Sequence, residues 1–312
     1  MKIFLAGATG VIGRHMVPGL VKAGHEVAGT TRDASKAGQL RAAGAEPVVL
    51  DALDRNAVLS AVRQHRPDVV IHQLTAIGGT DLKRFDEGFA VTNELRTRGL
   101  DYLLEAAQDV DAGRFIAQSF TGWTNPRTGA SVKDENDPLD DRPARGSVES
   151  LKAIRHTEEA VTAATGTEGL VLRYGFLYGP GTALGPSGDM YQALAARKLP
   201  IVGGGTGIFS FVHVADAAAA AVVAVDRGDP GVYNIVDDEP VQVAEWLPHL
   251  ARTIGAKPPR RVPAWLAKPM IGEFGVAMMT AMRGSSNAKA RRELGWEPAY
   301  PSWREGFPAM VR

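Results

Sequence analysis

The sequence predicts an α/β fold: a doubly wound parallel sheet with a smaller, mostly helical C-terminal lobe. Three observations predict it. Short apolar runs alternate with stretches of helical apolar spacing through roughly the first half of the chain. The first run ends in a glycine-rich turn, GATGVIG at residues 7–13, that opens a helix. After residue 175 this alternation stops, and glycine- and proline-rich segments take over.

In order, Lys2–Ala6 is a short apolar run closed by glycine and predicts a buried strand, followed by helical spacing over Val11–Lys22. Glu26–Thr30 predicts a strand, Ala34–Ala43 a helix, Glu46–Leu50 a strand and Asn56–Gln64 a helix. Asp68–His72 is the next strand, Thr92–Gln108 a helix, Arg114–Gln118 a strand, Leu151–Ala164 a helix and Leu170–Arg173 a strand. Right-handed crossovers with short loops leave the doubly wound sheet as the natural solution. Gly175–Gly207 carries GPGT, GPSG and GGGTG, punctuation suited to loops over a site. Val232–Ile235 is one further strand, and from Pro240 helical stretches are separated by Pro258-Pro259, Pro263 and Pro269. The expected division is a cofactor domain of residues 1–175 plus about 214–236, and a substrate-binding lobe of residues 176–213 and 237–312.

Composition narrows the function classes. The 35 basic and 35 acidic side chains balance, so no basic excess points to nucleic acid. Cysteine is absent, which excludes disulfides and thiolate metal sites. No His/Asp/Glu cluster has metal-ligand spacing, and no GxSxG elbow supports hydrolase chemistry. The longest apolar tract, Ala217–Val225, is about half a membrane span, and no targeting segment is visible, so a soluble, cytoplasmic protein is expected.

The glycine loop carries the first chemistry. Gly7 permits a tight turn, Gly10 lets backbone approach a pyrophosphate, and Gly13 lets the helix pack against the strand. The helix N-terminus then offers free N–H groups to the anion, with Thr9, Val11 and Ile12 between the glycines. This places a dinucleotide on a Rossmann sheet. The second strand ends VAGTTRD, with Thr31 and Arg32 where an NAD site has an acidic residue. A guanidinium pairs with a 2′-phosphate that a carboxylate would repel, so NADP(H) is expected over NAD(H). The alternative is a solvated Arg32 with Asp33 bonding the ribose.

GATGVIG, Asp51 after the third strand, VVIHQLTA, Asn93, LRYGFLYGPG, FVHVADAA and the closing SNAKARRELGWEPAYPSWREGF together resemble the extended short-chain dehydrogenase/reductases, the NAD-dependent epimerase/dehydratase group. The likeness covers nearly the whole chain. It implies Asp51 and Ala52 near the adenine, Leu74, Thr75 and Ala76 along the cofactor, Asn93 supporting the strand ends, and Tyr174 to Leu177 near the nicotinamide. It also implies a small-molecule substrate and a homodimer formed through two helices of the cofactor domain.

The departures from that group are specific. Its general acid is a tyrosine four residues before a lysine. Here Lys152 fills the lysine position, where the resemblance implies a contact to the nicotinamide ribose and the alternative is an ordinary exposed helix lysine, but Val148 stands four residues earlier. No tyrosine occurs between Tyr102 and Tyr174. In AQSFTGW the family's hydroxyl position is best matched by Phe120, flanked by Ser119 and Thr121, either of which could orient a carbonyl. Phe209 replaces the arginine that grips a sugar diphosphate, and Phe176 a polar nucleotide contact, so sugar-nucleotide phosphates would be left unpaired. With Trp123 after the fifth strand and Tyr178 after the sixth, these aromatics define an apolar substrate pocket.

Among the remaining groups, His156 shares a helical face with Lys152 and is a candidate acid or base. His72 and His213 read as structural, Gln73 lies at a strand's carboxyl end, and Glu158 and Glu159 read as a solvated helix face. The leading expectation is an NADP(H)-dependent oxidoreductase acting on a carbonyl or alcohol of a small, largely apolar metabolite, with Ser119, Thr121 and Lys152 at the chemistry. Two other readings remain open: a non-redox isomerase, cyclase or lyase on this scaffold, and a dinucleotide-sensing regulator. Arg32→Ala is expected to weaken NADPH binding by roughly 10- to 100-fold, the worth of a charged hydrogen bond, with NADH binding little changed. Calorimetric titration of both cofactors checks this, and unchanged NADPH affinity would refute it.

Overall fold

The architecture is that of a computed structural model, which describes residues 1–77 and 81–311. Seven parallel strands form the central sheet: β1 (Lys2–Ala6), β2 (Glu26–Thr31), β3 (Glu46–Val49), β4 (Val69–His72), β5 (Arg114–Phe120), β6 (Glu168–Tyr174) and β7 (Gly231–Ile235). Their order across the sheet is β7-β6-β5-β4-β1-β2-β3. The direction of winding reverses between β1 and β4, and a doubly wound sheet opens its ligand crevice at that reversal. Register is tight: Leu5 lies beside Ile71, and Phe120 beside Tyr174.

The pleat of these strands feeds two cores. Ile3, Leu5, Ile71, Ile116 and Leu172 point to one face, where they meet helices α1 (Gly13–Lys22) and a later helix of residues 214–223. Phe4, Val70, Phe115, Ala117 and Val171 point to the other, against α2 (Arg55–His65), α3 (Leu100–Asp109) and α4 (Val148–Thr162). Strands buried on both faces read as near-continuous apolar runs, as the central β1 (KIFLA) and β4 (VVIH) do. The later helix, α5 (Val214–Val223), is alanine-rich and lies close against α1. Ala290, Leu294 and Trp296 join this first core although they fall within residues 237–312, so part of the C-terminal segment packs on the sheet side.

A separate core belongs to the second lobe. It gathers Phe209, Phe211, Trp246, Leu247, Phe274, Trp303 and Phe307 from several segments, including α6 (Val243–Thr253) and α7 (Ala264–Thr280). Pro269 does not separate helices as the sequence suggested. It lies inside α7, and the break falls at Gly272, whose φ of 71° interrupts the helix. The Gly175–Gly207 region is not all loop either: it holds a short strand, Phe176–Tyr178, and a helix, Asp189–Ala195.

The Thr92–Gln108 helix is broken by one π-helical turn at Leu95–Gly99. His72, fully buried at the end of β4, sends its Nε2 to Leu95 O at 3.0 Å and so ties that turn to the sheet. His213 caps α5, with Nδ1 accepting from Ala215 N. Both histidines are therefore structural. Burial lowers each imidazole from the usual 6.5 to about 4. Below pH 6.5 the unfolded chain takes up protons that these folded imidazoles refuse, so their contribution is present above that pH and lost as pH falls toward 4. Urea unfolding followed from neutral pH downward should show stability falling over that window. His72→Gln should flatten part of the fall, by at most about 3 kcal/mol.

Candidate active site

The loop after β1 is shaped for a dinucleotide. Gly7 has φ of 94°, and a Cβ there would stand 2.7 Å from Gln73 O. A Cβ on Gly13 would lie 2.2 Å from Gly7 O, inside the turn itself. Gly7 N–H donates to Thr30 Oγ1 at 3.0 Å, and Thr9 Oγ1 to Thr31 Oγ1 at 3.3 Å, which fixes the loop to the end of β2. Ile12 precedes α1 with no side-chain cap, Arg14 N–H donates to Gly10 O and His15 N–H to Ile12 O within the turn, and the positive end of the helix dipole faces the loop. These features fit a pyrophosphate. Val11 is exposed at the lip, and Ile12 is buried beneath it.

At the end of β2 the Asp33 carboxylate is spent on Ser35, accepting from its N–H at 3.0 Å and its hydroxyl at 2.6 Å, which lowers its pKa. Arg32 is exposed, and among the described residues no hydrogen bond or ion pair engages its guanidinium. Asp51 accepts from Leu53 N at 3.0 Å and lies exposed beside buried Ala52. Leu74 O is held by Gln118 Nε2 and Ala76 N by Thr92 Oγ1, with Thr75 exposed between them. Tyr174 lies beneath the crevice, its hydroxyl accepting from Gln73 Nε2 at 3.0 Å, and burial raises its pKa. Asn93 donates to Ser150 Oγ at 3.2 Å.

The three residues expected at the chemistry are not brought together. Ser119 donates its hydroxyl to Glu158 Oε1 at 2.7 Å, and Glu158 is itself buried against Arg173. Glu158 is therefore no solvated face, whereas Glu159 is exposed as expected. Thr121 Oγ1 is 2.6 Å from Ser285 Oγ, in a closed network with Asn125. Lys152 turns outward, two-thirds exposed, and its Nζ pairs with Glu149 at 2.8 Å. The same outer face carries His156, paired with Asp101 at 2.7 Å, and borders an open groove with Asn93 and Thr97. The inward face of α4 presents Leu151 and Ile154 instead, against Phe120 and Trp123.

What the strand ends do assemble is aromatic. Phe120 meets Phe176 edge-on with centroids 5.0 Å apart and Trp123 at 6.0 Å. Trp123 in turn stands at right angles to Phe274, 5.4 Å away, with Phe85 closing the cluster. Phe120, Trp123 and Phe176 are half-buried, and Trp123 lines the cleft. Phe209 packs on Phe176 at 4.3 Å but is itself buried in the second core. Tyr178 is likewise a core residue rather than a pocket residue: it is wholly buried against Phe307, and burial raises its pKa. Phe85 and Phe274 were not singled out in the sequence. The FDEGF spacing of Phe85 and Phe89 was the available sign of the first, and nothing local marked the second.

Among the described residues no group of three His, Asp or Glu side chains could hold a metal, and no helix is long and apolar enough to cross a membrane. Comparison with known proteins decides the family. The profile of the NAD dependent epimerase/dehydratase family matches residues 3–236. This chain belongs to that family. It is similar to a 3-diazoavenalumate denitrifying reductase of a Streptomyces species, 47% identical over 310 residues, covering 98% of this chain and 99% of the relative. It is also similar to a dihydroquinoline-oxide ketoreductase of Stigmatella aurantiaca, 30% identical over 82% of this chain and 74% of that protein. Among solved structures it superposes on the UDP-glucose 4-epimerase of Thermotoga maritima with a TM-score of 0.79 at 24% identity, covering 100% of this chain and 97% of that one. As a member of this epimerase/dehydratase family with reductase relatives, the protein is an NAD(P)-dependent oxidoreductase acting on a small molecule.

Because Lys152 points to solvent, Lys152→Ala is expected to change NADPH affinity and turnover by no more than roughly twofold, as for other exposed positions. A loss of cofactor affinity of tenfold or more, read by fluorescence titration, would place the lysine back at the ribose.

Proposed function

We propose that the protein is an NADPH-preferring reductase whose substrate is an aromatic electrophile that accepts hydride without needing a proton, with an arene diazo compound as the best candidate. One observation carries this reading: among the described residues, no free acid faces the aromatic cleft. Phe120 occupies the central position, Ser119 and Thr121 are engaged in buried networks, and Leu151 and Ile154 line the inward side of α4. The polar groups at the far end are also committed. Ser147 Oγ donates to Ala144 O at 2.9 Å, and Asp140 Oδ1 accepts from Arg142 N at 2.9 Å.

Reduction of a carbonyl creates an alkoxide, and a positioned general acid there is worth about 10²–10⁴-fold. An arenediazonium has no such requirement. The incoming hydride forms the new C–H bond, and dinitrogen leaves with the electron pair of the broken C–N bond. The relative at 47% identity is named for a denitrifying reduction of a diazo substrate, which matches a site built without an acid.

The bound nicotinamide supplies the hydride. Gly7, Thr9, Gly10 and Gly13 would hold its pyrophosphate, and Arg32, left free by Asp33, would pair with a 2′-phosphate. Phe120, Trp123 and Phe176 would orient a flat substrate by stacking and keep water from it. The proposal includes a cytoplasmic location, where NADPH is supplied, and a homodimer formed through α4 and the Ala90–Glu94 helix, whose Val91 is exposed.

The test is reduction of an arenediazonium by purified protein with nicotinamide-4-deuterated NADPH. Deuterium on the ring carbon and stoichiometric dinitrogen are the expected result. Trp123→Ala should lower kcat/KM by roughly 10- to 100-fold through lost stacking. Reduction of aromatic ketones alone, with the diazonium untouched, would overturn the reading.

A further inference from the structure

The aromatic cleft has a cationic end that the proposed hydride chemistry leaves unused. One wall is apolar, with Trp123, Phe274, Met278 and Met282, and at its far side stand Arg127 and Asp140. Arg127 is a third exposed and Asp140 is buried. Their closest approach is 3.6 Å, an ion pair too long to be a hydrogen bond. Arg127 Nη2 donates to Arg142 O at 2.6 Å, which holds the guanidinium in place without neutralising it.

Two further guanidinium groups gather on the same segment. Arg283 is half-buried and donates both Nε and Nη2 to Arg127 O, at 3.2 and 3.0 Å. Among the described residues no carboxylate lies within ion-pair distance of it. Arg155, on α4, donates to Asp140 O at 3.3 Å. Arg127 thus meets the buried Asp140 carboxylate at the rim of an apolar slot, while Arg283 and Arg155 bond the backbone carbonyls of Arg127 and Asp140. A guanidinium that is partly withdrawn from water beside an apolar wall gains from an incoming anion. Arginine's planar fork is matched to a carboxylate.

We propose that Arg127, backed by Arg283, anchors the carboxylate of an aromatic acid whose ring lies against Trp123 and Phe274. The site suits a single negative charge. Asp140, 3.6 Å from Arg127, opposes a polyanion, so a nucleoside diphosphate is disfavoured where a monocarboxylate is accepted. This assignment rests on the cleft being the substrate site and names the substrate class for it.

The experiment measures binding to the NADPH-loaded full chain, by calorimetry and Trp fluorescence, with cinnamate, its neutral isostere cinnamamide, and UDP as probes. Cinnamate should bind at least roughly tenfold more tightly than cinnamamide, the worth of a charged hydrogen bond. Arg127→Gln should abolish that difference while leaving cinnamamide and NADPH affinities unchanged. Arg283→Gln, whose side chain touches only a carbonyl, should reduce it by roughly threefold, and serves if the first variant is unstable. Equal affinity for acid and amide, discrimination that survives both substitutions, or UDP binding more tightly than cinnamate would each overturn the assignment. The readout does not involve turnover, so it separates from the hydride reading. Discrimination without diazonium reduction leaves the anchor standing, and diazonium reduction without discrimination removes the anchor alone.

Discussion

Glu158 and Arg173 meet in the dry space between α4 and the sheet, the carboxylate accepting from Nε at 2.8 Å and from Nη2 at 2.6 Å. Both side chains are at most 8% exposed. Ser119 adds a third bond to the same carboxylate. A buried pair of this kind adds little net stability against an apolar replacement, but removing one partner leaves a bare charge inside and costs about 3–5 kcal/mol. Its use is geometric. It locks one helical position of α4 against β5 and β6, and at 3.6 residues per turn that decides where every other residue of the helix points. Leu151 lies seven positions back and Ile154 four, so both face inward with Glu158. Lys152 lies six back and is thrown to the outside.

The chemistry of the cleft follows from that rotation. A helix phased by Glu158 brings aliphatic side chains to Phe120 and Trp123, and the strand-end hydroxyls are drawn away from the cleft on either side. Ser119 is drawn to the ion pair. Thr121 is drawn to Ser285 and Asn125, a network that also fixes the C-terminal lobe to the loop after β5. What α4 and the end of β5 present there is aliphatic and π surface, with Arg127 and Asp140 at the far end. Such a surface binds flat molecules through area and quadrupole, and offers no proton. The dinucleotide loop is untouched by this change because it belongs to the β1–α1 turn, on the far side of the winding reversal.

The sheet and the cofactor loop were legible because their causes are local. A strand buried on both faces must be an apolar run, and a turn with φ of 94° between strand and helix must be glycine. His213 was also readable as structural through nearby backbone it can bond, and His72 through the family resemblance. The candidate acids were not legible in the same way. Glu158 looked like one of two solvated carboxylates, and only Arg173, fifteen residues away on another strand, reveals it as the fixed point of α4. With that phase unknown, Lys152 was placed by the family resemblance, with an exposed helix lysine as the alternative. Tyr178 and Phe209 were read as pocket residues from their places after β6 and before Phe211. They lie instead in the second core, because α6 and the Trp303–Ala309 helix cover them. Cores assembled from distant segments leave no periodic trace at any one of them.

Hydride transfer and proton transfer are separable tasks, and this chain shows the separation in its parts. The first requires a cofactor cradle and a surface that holds the acceptor at the nicotinamide, and both are built from backbone turns and packed rings. The second requires an ionisable group held at one atom, which the phase of α4 excludes. On the proposed reading, a scaffold that keeps the first and drops the second suits acceptors that carry their own driving force, such as a leaving group that departs as a stable gas. Under the proposed chemistry, substrate choice is set less by recognition of the reacting group than by which molecules can react there at all. Binding selectivity is left to the flat slot and to the charges at its rim.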